Sequence, residues 1–104
     1  MNTNSSLEAW NTQVLMLVQA LVGAVSPNFR MVTLDLDEDC WIIRFYIKED
    51  LEEDIEEIEE ILCQYTAYQD NTLKCRHEII IGSKELPGIL EIGRVIYRHR
   101  ESFA

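Results

Sequence analysis

The chain has 104 residues, of which 47% are hydrophobic, and this suffices for one core without a metal ion or disulfide bonds. Nineteen Asp and Glu residues against nine Lys and Arg residues give a formal net charge of −10. Proteins that bind nucleic acid need Lys and Arg to neutralise phosphates, so this composition argues against nucleic acid and favours a basic protein partner. We expect one domain over residues 1–104.

The apolar stretch from Val14 to Val25 predicts a buried helix and not a secretion signal or membrane span. No Lys or Arg precedes Arg30, so the stretch lacks the basic segment that begins a secretory signal. It is interrupted by Gln19 and is shorter than the about 20 apolar residues that a membrane helix needs. Three cysteines form an odd set without a CxxC pair: Cys40, Cys63 and Cys75. These features predict a cytoplasmic protein without disulfides or a zinc ribbon.

A first helix is predicted to begin at the capping pattern Ser5–Glu8, where the Ser5 hydroxyl can accept a hydrogen bond from the Glu8 amide. Apolar residues then recur at steps of three and four, which places them on one inward face: Leu7, Trp10, Val14, Leu17, Val18 and Leu21. The helix must end before Pro27, because proline disfavours helical geometry in the residue before it.

Two strands are predicted to form a hairpin after this helix. The first strand starts at Phe29 and carries its inward apolar residues at even positions, whereas the second, from Cys40 to Ile47, carries them at odd positions. Because both sets must share one face, only residues of opposite parity can pair. With a two-residue turn at Glu38-Asp39, the pairs are Leu36 with Trp41, Leu34 with Ile43, Val32 with Phe45, and Thr33 with Arg44.

A second helix is predicted to begin at Asp50–Glu53, where acidic residues suit the positive end of the helix dipole. It should end before Asp70-Asn71, which breaks the helical pattern. Its inward stripe comprises Leu51, Ile55, Ile58, Ile61, Leu62, Tyr65 and Tyr68. The opposite face of this helix is almost purely carboxylate.

A third strand over Lys74–Gly82 and a fourth over Ile92–Arg98 complete the predicted sheet. The connections offer no βαβ crossover of adequate length on each side. The order α-β-β-α-β-β therefore predicts an α+β fold, with a four-stranded, mainly antiparallel sheet and both helices on one face.

In the fourth strand, alternation places Val95 and Tyr97 on one side and three arginines on the other: Arg94, Arg98 and Arg100. We expect these arginines to form internal ion pairs with Glu78 and Glu91, and phosphate binding is the alternative.

The acidity is concentrated between Asp35 and Glu60, where thirteen acids accompany two bases. We predict that ten of these acids bind a basic protein partner: Asp35, Asp37, Glu38 and Asp39 at the turn, and Glu52, Glu53, Glu56, Glu57, Glu59 and Glu60 on the second helix. The alternative is a solvated face that only keeps the protein soluble. A calcium loop is disfavoured, since the turn lacks the glycine that EF-hand spacing requires.

No residue pattern predicts catalysis. A carboxylate that acts as a general acid needs an environment that raises its pKa, and the carboxylates of this chain are expected along an exposed face. Cys75 and His77 lie two residues apart on one strand face and could pair as nucleophile and base, although a packed Cys and His is the simpler interpretation. The sequence contains no GxSxG, P-loop, GxGxxG or HExxH motif. We therefore predict no enzymatic activity, no metal ion and no cofactor.

Four stretches together resemble the small bacterial immunity proteins of polymorphic and contact-dependent growth-inhibition toxins: Ser26–Arg30, Trp41–Phe45, Asp50–Ile61 and Gly93–Tyr97. The resemblance implies a cytoplasmic antitoxin that needs no cofactor and binds the C-terminal toxic domain of its cognate effector. Many such toxins are nucleases with basic substrate grooves, so the acidic residues are the expected contact. A monomer is the favoured state, and a homodimer is the alternative.

A small acidic secretion chaperone or adaptor is the alternative function. Proteins of that class are also α+β and cytoplasmic, but they typically form homodimers that bind an unfolded effector segment. Oligomeric state and the nature of the partner distinguish the two functions.

Overall fold

A computed structural model of the chain describes residues 7–67, 69–87 and 93–99. The elements follow in the order α1 (Leu7–Leu21), β1 (Phe29–Asp37), β2 (Cys40–Ile47), α2 (Glu52–Ala67), β3 (Cys75–Ile81) and β4 (Arg94–Arg98). This order confirms the predicted fold class. Five of the residues named in the predictions lie outside the described residues: Ser5, Tyr68, Glu91, Ile92 and Arg100.

The strands form one mixed sheet in the order β3-β2-β1-β4. β1 pairs antiparallel with both β2 and β4, whereas β2 and β3 are parallel. The parallel pair arises because α2 carries the chain back along the sheet, so β2, α2 and β3 form a βαβ crossover that the sequence analysis did not expect. Two of the three strand pairs are antiparallel, and the predicted mainly antiparallel sheet is confirmed.

The β1–β2 hairpin has the predicted register. Four predicted pairs are observed: Leu36 with Trp41, Leu34 with Ile43, Val32 with Phe45, and Thr33 with Arg44. In the turn, Glu38 has a φ of 57°, because a tight two-residue hairpin turn requires a left-handed residue. An irregularity between Phe29 and Met31 shifts the pairing at the other end of the hairpin.

Both helices pack on the same face of the sheet. The core includes Leu17 of α1, Ile58 of α2, and the strand residues Phe29 and Phe45, whose rings meet edge to face at 6.5 Å. Near the other end of the core, Trp10 packs edge to face on Trp41, with 4.9 Å between ring centroids. The aromatic contacts therefore link α1 to the hairpin and stabilise the packed layers.

The buried face of α1 is rotated relative to the prediction. Leu17 and Leu21 are buried as expected, but Leu7 and Val18 are exposed. Gln13 and Ala20, which the predicted face did not include, are buried. The prediction was wrong at these positions because it followed only apolar residues and left out Gln13, whose amide bonds Tyr65 of α2 and Gln69 just beyond the helix. Within the described ranges, neither helix combines the length and hydropathy that a bilayer span requires.

Gln13 joins α1 to the C-terminal end of α2 through a hydrogen-bond network. The Tyr65 hydroxyl donates to Gln13 Oε1, Gln13 Nε2 donates to Gln69 Oε1 at 2.8 Å, and Gln69 Nε2 donates to the Tyr65 carbonyl at 2.6 Å. Burial raises the pKa of Tyr65, which keeps the hydroxyl protonated as a donor. The buried polar groups are therefore satisfied by one another.

β4 departs from regular alternation. The register shifts between Val32, which pairs with Tyr97, and Thr33, which pairs with Val95. Arg94 consequently lies on the helix side, where its guanidinium carbon is 4.8 Å from the centroid of the Trp10 ring.

The predicted sides of β4 were therefore wrong, because a bulge changes which residues share a face. The predicted pairing of these arginines with Glu78 is also wrong for the residues described. Glu78 lies on β3, at the opposite edge of the sheet from β4.

Gly93 allows β4 to begin close against β1. A Cβ at this position would overlap the Leu34 carbonyl oxygen and lie 2.9 Å from the Asp35 Cα. Both are backbone atoms of a central strand, so neither can move without disturbing the hairpin. A residue with a side chain at position 93 is therefore excluded by sterics.

We expect Gly93→Ala to destabilise the protein by about 1–3 kcal/mol, the usual cost of overpacking. Urea unfolding followed by circular dichroism measures this change. Gly23→Ala is the control, because Gly23 has a φ of 77° but its Cβ would meet nothing within 4 Å. Gly23→Ala should therefore show the cost of backbone strain alone. A larger loss of unfolding free energy for Gly23→Ala than for Gly93→Ala would contradict the packing argument.

We expect Tyr65→Phe to destabilise the protein by about 1–3 kcal/mol, because it leaves the buried Gln13 oxygen without its donor. The double variant Gln13→Leu/Tyr65→Phe replaces both partners by apolar groups and should be more stable than Tyr65→Phe alone. Chemical denaturation of the two variants tests this order, and the reverse order would show that the network contributes little.

Candidate functional site

The ten predicted partner-binding acids fall into two structural groups. Four lie at the end of the β1–β2 hairpin: Asp35, Asp37, Glu38 and Asp39. Six lie on α2: Glu52, Glu53, Glu56, Glu57, Glu59 and Glu60. The two groups differ in whether neighbouring cations neutralise them.

Cations of β2, of β3 and of the residue just before β3 form ion pairs with three of the four hairpin acids. Lys74 Nζ donates to Asp39 Oδ2 at 2.8 Å. Arg44 lies between two acids, with 2.9 Å from its Nε to Glu78 Oε1 and 3.5 Å from its Nη1 to Asp35 Oδ2. Arg76 lies 3.9 Å from Asp37 and 3.3 Å from Glu78. Within the described chain, Glu38 is the hairpin acid without an ion pair.

The hydrogen bonds favour the charged forms of Asp39 and Arg44. Donation from Lys74 lowers the pKa of Asp39 below its usual 3.8. Burial alone would lower the pKa of Arg44, but its bonds to Glu78 and Asp35 outweigh burial and raise it. A basic partner would therefore have to compete with internal cations for most of the hairpin carboxylates.

The α2 acids are not neutralised in this way. Five of them line an open depression together with Cys63: Glu53, Glu56, Glu57, Glu59 and Glu60. None of the six α2 acids forms an ion pair with any residue that the structure describes. Their negative charge is therefore presented to solvent without a local counter-charge.

Position along α2 separates acids with a structural role from acids without one. Glu52, Glu53 and Asp54 lie in the first turn, where negative charge is stabilised by the helix dipole. Glu56 and Glu60 lie beyond that turn, at a spacing where like charges repel. The later acids of α2 therefore cost stability instead of contributing it.

Sequence reasoning missed Asp54, which is buried and not part of the acidic surface. Its Oδ2 accepts a hydrogen bond of 2.8 Å from Asn28 Nδ2, and Asn28 also bonds the backbone of Glu49. Asp54 lies four residues before Ile58, on the inward face of α2, and this spacing could have indicated its burial. The contact fixes the start of α2 against the start of β1.

Cys75 and His77 lie in different surroundings, and no hydrogen bond between them is found among the described residues. Cys75 is half-buried against the core, and burial raises the pKa of its thiol, which keeps it protonated. His77 is exposed, so the expected packed histidine is wrong. No three His, Cys, Asp or Glu side chains cluster as a metal site within the described residues.

Comparison with known proteins adds one finding. A family of immunity proteins, described as MafI2 immunity protein, matches residues 11–101 of the chain. This range contains both strands of the hairpin, all of α2, and the strands β3 and β4. No curated protein matches the chain.

We expect neutralisation of the two groups of acids to change stability in opposite directions. Glu56→Gln/Glu60→Gln should raise the free energy of unfolding by about a few tenths of a kcal/mol for each like-charge pair removed. Asp35→Asn/Asp39→Asn should lower it, because these acids have cations as partners. Urea unfolding at low salt measures both changes.

The dependence of stability on pH should also differ between the acids with ion pairs and the acids without them. The pKa of Asp39 is lowered in the folded state, so its pair stabilises the protein above the usual pKa and loses this effect as pH falls through the lowered value. If both double variants changed the free energy of unfolding in the same direction at neutral pH, the distinction between paired and unpaired acids would be contradicted.

Proposed function

Because the chain belongs to the family of MafI2 immunity proteins, we propose that it binds a cognate toxin protein through the exposed face of α2 and neutralises it. The family supplies the general function, an immunity protein. The observation that carries the choice of surface is the row of α2 acids that no described cation neutralises. Repulsion among these acids lowers the stability of the free protein, and a basic partner that binds them would supply the missing positive charge.

The geometry of α2 suits a toxin domain that acts on nucleic acid. The helix has 16 residues, which corresponds to a length of about 24 Å. Carboxylates at i, i+3 and i+4 spacing lie about 5–6 Å apart at their Cβ atoms, so the face is a regular row of negative charges. A nuclease needs a groove lined by Lys and Arg to hold phosphates, and such a groove would attract this row. We propose that α2 covers the substrate groove of a basic nuclease toxin.

The hairpin acids are a secondary part of the proposal. Glu38 is exposed at the turn and could contact the same toxin. Asp35, Asp37 and Asp39 would first have to exchange their internal cations for those of the toxin. We therefore place the main contact on α2 and keep the hairpin as a weaker prediction.

The proposed mechanism is neutralisation by occupancy, without catalysis or a cofactor. The three cysteines are free thiols, which fits the reducing cytoplasm that we propose as the site of action. The secretion-chaperone alternative loses support, since the chain belongs to an immunity family and the α2 acids suit a folded basic surface.

The toxin is first identified by capture with tagged protein from the native host, and each recovered protein is expressed with and without this chain. The expected result is a toxin whose toxicity disappears on co-expression. Recovery of non-toxic secreted effectors alone would instead support the chaperone function.

We expect Glu56→Lys/Glu60→Lys to slow association with that toxin by at least about tenfold at low salt, because it reverses charge at the contact. The control Glu8→Lys/Glu85→Lys makes the same change in net charge at exposed positions outside α2. Stopped-flow association rates at several salt concentrations compare the two. The difference should shrink as salt screens it, and equal slowing by both variants would contradict the proposed contact.

A further inference from the structure

The outward face of α1 carries three exposed apolar residues, and its one charged residue is Glu8 at the start of the helix. Leu15 is 57% exposed, Val18 is 41% exposed and Val22, just after the helix, is 78% exposed. The three follow one another at steps of three and four, so they form one stripe on the side turned away from the core. We call these residues the α1 stripe. No other element among the described residues covers these side chains. A partner that binds there would remove their apolar surface from water.

Charge limits what can cover the α1 stripe. α1 contains a single charged residue, Glu8, in its first turn. The exposed residues beside the stripe, among them Asn11, Thr12 and Gln19, are neutral. Two copies of a chain with a net charge of −10 repel each other over most of their surface. Glu8 lies seven residues before Leu15 on the same face, so two copies can approach through α1 without bringing their carboxylates together only if the helices are antiparallel, with each Glu8 at the outer end of the contact.

The spacing of the stripe is complementary to itself. Leu15 and Val22 occupy equivalent positions of a seven-residue repeat, with Asn11 and Val18 at the other inward position of the repeat. When two such helices cross antiparallel about a two-fold axis, Leu15 of each copy meets Val18 of the second copy. Val22 of each copy then meets Asn11 of the second copy. Closed two-fold symmetry of this kind is the commonest arrangement of homo-oligomers.

We propose that two copies of the chain associate through the α1 stripe, with their α1 helices antiparallel. A groove between α1 and α2, lined by neutral residues such as Ala20, Gln64 and Ala67, extends this uncharged surface. The contact uses none of the α2 carboxylates and is therefore independent of the proposed toxin contact. A homodimer is also the state that the chaperone alternative implies, so the toxin assay, and not the oligomeric state, decides between the two functions.

Sedimentation velocity of the purified protein over a range of concentrations tests this proposal. The wild-type chain should form a concentration-dependent dimer that strengthens with added salt, since salt screens repulsion between the acidic copies. Leu15→Lys and Val18→Asp should each raise the dimer dissociation constant at least about tenfold, because each buries a charge without a partner. Leu51→Lys, at a partly exposed leucine outside α1, is the control and should leave the dimer unchanged.

Mixing the two variants tests the register. In a mixed dimer, Lys at position 15 of one copy faces Asp at position 18 of the other, and the second pair stays Leu15 with Val18. The mixture should therefore form a dimer where each variant alone is monomeric. A mixture that remains monomeric would overturn the antiparallel pairing, and a wild-type protein that stays monomeric up to about 1 mM would overturn the dimer.

The toxin assay separates this proposal from the proposed function. Leu15→Lys should still neutralise the toxin, whereas Glu56→Lys/Glu60→Lys should still dimerise. If the wild-type chain is monomeric and Leu15→Lys loses neutralisation, the toxin covers the α1 stripe and the dimer proposal is wrong. If the dimer forms but the α2 variants neutralise normally, the proposed toxin contact fails and the dimer stands.

Discussion

The architecture depends on one constraint, which is that β1 and β2 carry their apolar residues on the same face of the sheet. The pairing of Val32 with Phe45 and of Leu34 with Ile43 concentrates these side chains on one side, and both helices must cover it. α2 therefore has to pack over the sheet immediately after β2. A chain that leaves β2, crosses that face as a helix and returns to the sheet edge arrives parallel to β2. The parallel β3 strand is thus a consequence of the hairpin register.

The same constraint leaves the outward face of α2 without a role in packing. Packing fixes the inward residues Ile58, Ile61 and Tyr65, and the contact with Asn28 fixes Asp54. Packing makes no demand on the outward residues, so a row of acids there affects stability only through repulsion between like charges. The fold therefore tolerates a concentrated charge that its own core does not need. This is the physical basis for reading the row as a surface for a partner.

The features that could be predicted from sequence are those set by local period. The hairpin register follows from alternation and a two-residue turn, and both lie within one short segment. The rotation of α1 accompanies the contact of Gln13 with Tyr65, and the β4 bulge places Arg94 over Trp10. Both partners are distant in the sequence. The spacing of apolar residues along the sequence does not predict such contacts. The concentration of acids at the candidate site is visible in the sequence, but the ion pairs of the hairpin acids are not, because Lys74 and Arg76 come into reach only through the crossover to β3.

The two surfaces proposed for this chain differ in the force that drives them. Under these proposals, a contact through the α2 face would depend on unbalanced charge and weaken as salt rises, whereas a contact through the α1 stripe would depend on apolar burial between like-charged copies and strengthen as salt rises. The two responses can be separated because the helices lie side by side with different outward compositions: α1 has one charged residue, and α2 has a row of acids. A single surface that combined both compositions would give a mixed response. The segregation of charge between the two helices therefore lets each surface be altered, and measured, without changing the other.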